Sequence, residues 1–363
     1  MAHSTSLFLK RVIFIFALVA SSVAKIAIAG HHTETTRADE PSDQPHFVLP
    51  DAQIYLDRLS ANPRPALTRE MLAMIRNIPR EKMVSTDDRP VGELATIEDV
   101  TMPGPAGQIQ LRLFDPRAER APGPVVVFFH GGAYVVGSIE THAGLAAEIA
   151  RQLDLPVISV EYRLAPEHPW PAAVDDGEAA ARWIAQNGQR FGRDFTGLVI
   201  SGDSAGGNLT LVTTASLMAN PTTIPVLMQM PIYPATDRSR KYPSSTLFSK
   251  GYGLDISDDD EDFYAADPNS VRASPLLGSL SGMPPTVMVT ASLDPLRDQG
   301  RAYAAKLVEA GVPTVYFEAE GLIHGFATYR KAIPSAQQAT EDFLGLALEI
   351  LKNTTDGPQA SDF

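Results

Sequence analysis

Cysteine is absent from all 363 residues, which excludes disulfides, thiolate metal sites and a cysteine nucleophile together. Clusters of basic residues are missing too. Lys and Arg number 30 against 43 Asp and Glu, for a formal net charge of −13, so neither nucleic acid nor an anionic membrane surface suits this chain as a partner. No histidine-rich or carboxylate spacing marks a metal site, His31-His32 reads as a solvated pair, and no cofactor is expected. Internal repeats are lacking. The run Val12 to Ala24 falls short of the ~20 apolar residues needed to span a bilayer, so stable membrane insertion is not expected. What remains is ordinary globular material, 44% apolar and 20% charged, long enough for one large core with insertions or for two domains.

Residues 1–29 read as an export signal. Lys10 and Arg11 precede the apolar run, Lys25 interrupts its extension, and Ala27-Ile28-Ala29 supplies a small-x-small cleavage pattern. The expectation is a secreted or periplasmic protein whose mature chain begins near Gly30; an uncleaved anchor is the alternative. Residues 30–44 are polar and aperiodic, as in a flexible terminus. Helical patterns follow near Pro50, with Ile54, Tyr55 and Leu59, and after Thr68, with Met71, Leu72 and Ile75. The Met-rich face of the second suits core packing, or a lid over an apolar pocket.

From Ala95 the pattern changes. Thr96 to Met102 and Gln108 to Phe114 flank a Pro/Gly turn as a hairpin would. Val125 to Phe129 is a continuous apolar run, as in a strand buried on both faces. Short β-rich runs recur at Leu155–Val160, Gly197–Ser201, Val226–Met230, Thr286–Val289 and Val315–Phe317. Helical segments lie between them, among them Ala172–Gln189, Ser204–Met218 and Gln299–Ala310, and Ser335–Lys352 closes the series. The alternation predicts an α/β fold with a mostly parallel central sheet flanked by helices. Residues 233–269, without a clear strand and carrying the acidic cluster Asp255 to Asp262, read as an insertion beyond the carboxyl ends of the strands. An exposed edge strand near Val315 could pair two subunits, and 353–363 reads as a flexible tail.

One stretch organises the rest. Gly202-Asp203-Ser204-Ala205-Gly206 follows an apolar run and precedes a helical pattern, the form of a nucleophile elbow. Lifting a serine hydroxyl off a sheet needs a sharp strained reversal, and Gly202 and Gly206 remove side chains that would collide there. The serine needs a base. Of the eight histidines only His324 follows Ser204, in a loop past the last β-rich run. Asp294, beyond the run Thr286–Thr290, is placed to accept the imidazole N–H; Asp298 reads instead as a helix cap, and Asp203 as a brace of the elbow. In His130-Gly131-Gly132-Ala133-Tyr134, consecutive glycines let backbone N–H groups face one point, so Gly131, Gly132 and Ala205 are the expected oxyanion donors. His130 then shapes this loop.

These motifs, together with Tyr162-Arg163-Leu164-Ala165-Pro166-Glu167-His168-Pro169 and Asp294-Pro295-Leu296-Arg297-Asp298, resemble the hormone-sensitive-lipase branch of the α/β hydrolases over about His130 to Phe326. The resemblance implies an α/β-hydrolase domain over 91–352 and a helical cap built from 30–90. It also implies carboxylic-ester hydrolysis through an acyl-enzyme, on small to medium apolar esters, with no catalytic role for His168. Ala133 stands where a third glycine is frequent, and Gln299 where an acidic residue is frequent. An amide or formamide hydrolase would use the same three side chains. A hormone-binding protein of this fold would have lost one of them, and here all three stand in order.

Overall fold

The computed structural model describes residues 46–63, 67–256 and 261–355. The expected leader and polar N-terminus, and most of the expected tail, lie outside the described residues. Helices α1 (Pro50–Ala61) and α2 (Arg69–Arg76) come first. Strands β1 (Thr96–Gly104) and β2 (Gly107–Asp115) form the antiparallel hairpin, closing with Gly104 opposite Gly107. There follow β3 (Gly123–Phe129), α3 (Ala143–Leu153), β4 (Val157–Val160), α4 (Ala172–Gln186), β5 (Phe195–Asp203), α5 (Ala205–Ala219) and β6 (Val226–Ile232). The insertion carries the short α6 (Pro243–Leu247), and β7 (Thr286–Leu293), α7 (Arg297–Glu309), β8 (Thr314–Ile323) and α8 (Pro334–Thr355) complete the order.

The strands make one eight-stranded sheet in the order β1-β2-β4-β3-β5-β6-β7-β8. Pairing is parallel from β4 to β8 and antiparallel only at the β1 and β2 end. The continuous apolar character of β3 follows from cover on both faces. Val126 and Phe128 pack in one core with α3 and α8, whereas Val125, Val127 and Phe129 pack in another with α4 and α5. Helix α3 is not among the helical segments expected above; it is buried from Ala143 to Ala150, and its polar residues Glu148, Arg151 and Gln152 share one face toward its end. In α1 the inward residues are Tyr55 and Leu56; Ile54, expected on that face, is 70% exposed. In α2 Leu72 is buried and Met74 is 71% exposed, so the methionines do not form a continuous core face.

The segment before β1 is tied to the loop after β8. Arg330 grips Asp88 through two hydrogen bonds of 2.7 and 2.9 Å, both residues being buried, and Tyr55 stacks on Tyr329 at 4.9 Å. These ties fix the loop that carries His324.

Candidate active site

β5 runs two residues further than its expected run, through Gly202 to Asp203, and α5 starts at Ala205. Ser204 alone makes the reversal. Its φ is 55° and ψ −116°, a conformation costly for a residue with a Cβ, and the surroundings impose it. Ser204 N–H donates to the Ile232 carbonyl at 2.9 Å, while Asn208 Nδ2 donates to the carbonyls of Ala235 and Ala273. A Cβ on Gly202 would come within 2.5 Å of the Phe129 carbonyl oxygen. One on Gly206 would overlap that same oxygen and lie 2.6 Å from the His130 carbonyl. Both glycines are therefore demanded by how tightly the elbow sits on β3.

Asp294 directly follows β7, and His324 directly follows β8. With β5, these strands deliver all three side chains to the carboxyl edge of the parallel sheet. The Ser204 hydroxyl donates to His324 Nε2 at 2.8 Å, and His324 Nδ1–H donates to Asp294 Oδ2 at 2.8 Å. The other carboxylate oxygen of Asp294 accepts from Leu296 N–H at 2.7 Å. Asp294 is fully buried and His324 nearly so. The Tyr233 ring, held at a φ of 32°, lies 4.9 Å from the imidazole and backs it. Asp298 is not a helix cap: it lies inside the first turn of α7, where Oδ2 accepts from Ser244 N–H at 2.8 Å and secures α6.

The loop after β3 corrects one expectation. The N–H of Gly131 is already committed, donating to Asp203 Oδ1 at 2.8 Å. Asp203 thus joins the elbow to this loop, and Gly131 is held rather than offered. Among the described residues, no acceptor takes the N–H of Gly132, Ala133 or Ala205. The carbonyl sides of the same peptides are pinned. His130 Nδ1–H donates to Gly131 O at 2.8 Å, which turns the Gly132 N–H the opposite way. Gly132 O accepts from Val135 and Val136 N–H, which does the same for Ala133. Gly132 has a φ of 120°, and a Cβ there would overlap the Val136 carbonyl. Because β3 and β5 pair with Phe129 opposite Gly202, this loop and the start of α5 leave the sheet side by side.

His130 is fully buried, and burial pulls its pKa down to about 3, so the ring is neutral near pH 7. It stacks on Tyr162 at 4.2 Å, and the Tyr162 hydroxyl donates to His130 O at 2.6 Å. Arg163 grips Asp176, and Ala165 N–H donates to Tyr134 O at 2.9 Å, so the Tyr162–Pro169 segment supports the loop. Gln299 accepts from the N–H groups of Thr236 and Asp237, a task for which an amide oxygen serves as a carboxylate would. Ala133 acquires its role through contacts made across the fold, with the short spacing of His130 to Ala133 as the one sequence signal; Asp203 was expected to brace the elbow, and its bond to Gly131 extends that brace to the loop after β3.

Among the described residues, no group of three or more His, Asp or Glu could hold a metal ion, and no helix is long and apolar enough to cross a membrane. Residues 126–328 match a family model described as alpha/beta hydrolase fold. The chain is 34% identical to the esterase LipI of Mycobacterium tuberculosis over 322 residues, which cover 80% of this chain and 97% of that protein. It is 37% identical over 260 residues to the carboxylesterase NlhH of the same species, covering 67% and 78%. A solved structure of an ester hydrolase from the metagenome of Lake Arreo, in complex with a bipyridine phosphonate derivative, superposes with a TM-score of 0.74. That match has 36% identity and covers 83% of this chain and 98% of that one.

Proposed function

This chain belongs to the hormone-sensitive-lipase-like carboxylesterases of the α/β-hydrolase fold, and from that premise we propose that it cleaves carboxylic esters through a covalent acyl-enzyme formed on Ser204. The observation that carries the reading is the unbroken chain of hydrogen bonds from Ser204 Oγ through His324 to Asp294. Ser204 Oγ attacks the ester carbonyl as His324 Nε2 takes its proton. His324 returns that proton to the leaving alkoxide, which departs as the alcohol. Water, deprotonated by the same nitrogen, then releases the acid. Asp294 keeps the imidazole proton on Nδ1 and stabilises the imidazolium. The N–H groups of Gly132, Ala133 and Ala205 are the donors for the oxyanion, with Ala133 in place of Gly131. One such donor is worth about 3–4 kcal/mol of transition-state stabilisation.

The substrates are small to medium apolar esters. The cap helices and the insertion supply the apolar walls, and the esterase names of the relatives favour an ester over an amide. Export of the chain is part of the same reading, since the pattern of residues 1–29 supports a secreted or periplasmic protein. Ser204→Ala tests the mechanism. It should abolish hydrolysis of p-nitrophenyl esters in a folded protein, and retained turnover would refute the scheme.

A further inference from the structure

The loop that presents Gly132 and Ala133 is strained, and part of what holds it comes from the cap. Ala133 and Tyr134 both take left-handed backbone conformations, with φ of 53° and 64°. Two successive residues with a Cβ adopt that region only when their surroundings fix them. Inside the loop, Gly132 O receives the N–H groups of Val135 and Val136. That turn orients the Ala133 N–H, so its far end matters. There Val135 O accepts from the guanidinium of Arg76 at 2.7 Å, and the same nitrogen reaches Ala165 O at 2.9 Å. Glu167 faces it at 3.2 Å. Arg76 is the last residue of α2.

The other end of α2 reaches the same loop by a second route. Arg69 pairs with Glu261 and lies over the Phe263 ring at 5.4 Å. The next residue, Tyr264, stacks face to face on Tyr134, with centroids 3.7 Å apart and planes within 3°. Cap helix, insertion and loop therefore close a ring of contacts around the strained turn.

We propose that Arg76 is a positioning residue for ester hydrolysis: by holding Val135 O, it makes the seating of α2 and the orientation of the Ala133 N–H a single event. The inference rests on the esterase reading above. A cap that only covers substrate would act on KM. A cap that sets an oxyanion donor acts on kcat, because that donor meets its charge only in the transition state.

The experiment compares wild type, Arg76→Ala and Arg76→Lys on p-nitrophenyl butyrate. Arg117→Ala serves as the control, since it breaks an exposed ion pair to Asp154 at the opposite end of the strands. The expected result for Arg76→Ala is a kcat lower by about 10–100-fold, with KM changed by less than about twofold. Inhibition by a trifluoromethyl ketone, whose Ser204 adduct carries the oxyanion, should weaken by the same factor, and guanidinium ion in solution should restore part of kcat. If Arg76→Ala does not fold, the shorter Arg76→Lys carries the same comparison. Unchanged kcat in a folded variant, or a rise in KM alone, overturns the inference. An inactive wild type would instead overturn the esterase reading.

Discussion

Asp294→Asn is the most informative single change, because the surroundings of Asp294 decide which way an amide must face. One carboxylate oxygen accepts from Leu296 N–H at 2.7 Å, the other from His324 Nδ1 at 2.8 Å, and the residue has no exposed surface. An Asn that keeps its oxygen on Leu296 N–H turns its NH2 toward His324. The imidazole then holds its proton on Nε2, facing Ser204, and cannot act as a base. The opposite rotamer sets NH2 against Leu296 N–H, and a buried donor left without an acceptor costs about 1–3 kcal/mol. At ~2 kcal/mol the productive tautomer is held by roughly one molecule in 30. Loss of the carboxylate charge beneath the imidazolium adds to this, and the combined fall in kcat should be ~10³–10⁴-fold. The assay is hydrolysis of p-nitrophenyl butyrate across neutral pH, with thermal unfolding as the check on folding. A folded variant that loses less than ~10-fold would refute the tautomer argument.

Further outcomes follow from the elbow and from the buried pair beside it. Gly206→Ala sets a Cβ against two backbone carbonyls that cannot rotate away; it should destabilise the fold by about 2–3 kcal/mol or more in urea denaturation, and a change within ~0.5 kcal/mol would contradict the packing described. Burial pulls the pKa of His142 down, but Asp203, with 3.4 Å between Nε2 and Oδ1, more than offsets this and the net value is raised. Burial likewise pushes Asp203 up, and His142 brings it below the usual carboxylate range. His142 then contributes stability that is complete below its ordinary 6.5 and lost as pH rises through its folded value. Asp203 contributes stability present above its ordinary 3.8 and lost as pH falls through its folded value. Unfolding midpoints should therefore be highest between those limits, and His142→Gln should remove the decline on the alkaline side. An equal decline in the variant would contradict the pairing.

The sheet could be read from the chain because β3, β5 and β7 each carry a short unbroken apolar run, Val125–Phe129, Leu198–Ile200 and Val287–Val289, separated by helical stretches. The three converging side chains could be read because the parallel order places the residue after each of β5, β7 and β8 on one edge. Helix α3 was less legible because its first turns, Ala143 to Ala147, carry no polar residue, and a two-sided pattern shows only from Glu148 to Gln152. The donor loop was legible only in part. His130-Gly131-Gly132 marked the place, yet which N–H is spent and which is free depends on Asp203, a residue 72 positions away. Arg76 carried no signal at all, since one more arginine at a helix end reads as a solvated charge until the loop beside it is seen.

The central claim is that Ser204 is an activated nucleophile, and covalent trapping tests it most directly. Diethyl p-nitrophenyl phosphate should release one equivalent of nitrophenol per chain and leave one diethylphosphoryl group, located by peptide mass spectrometry on Ser204, with loss of esterase activity in step. Release without modification of Ser204, or full activity after stoichiometric labelling there, would contradict the account.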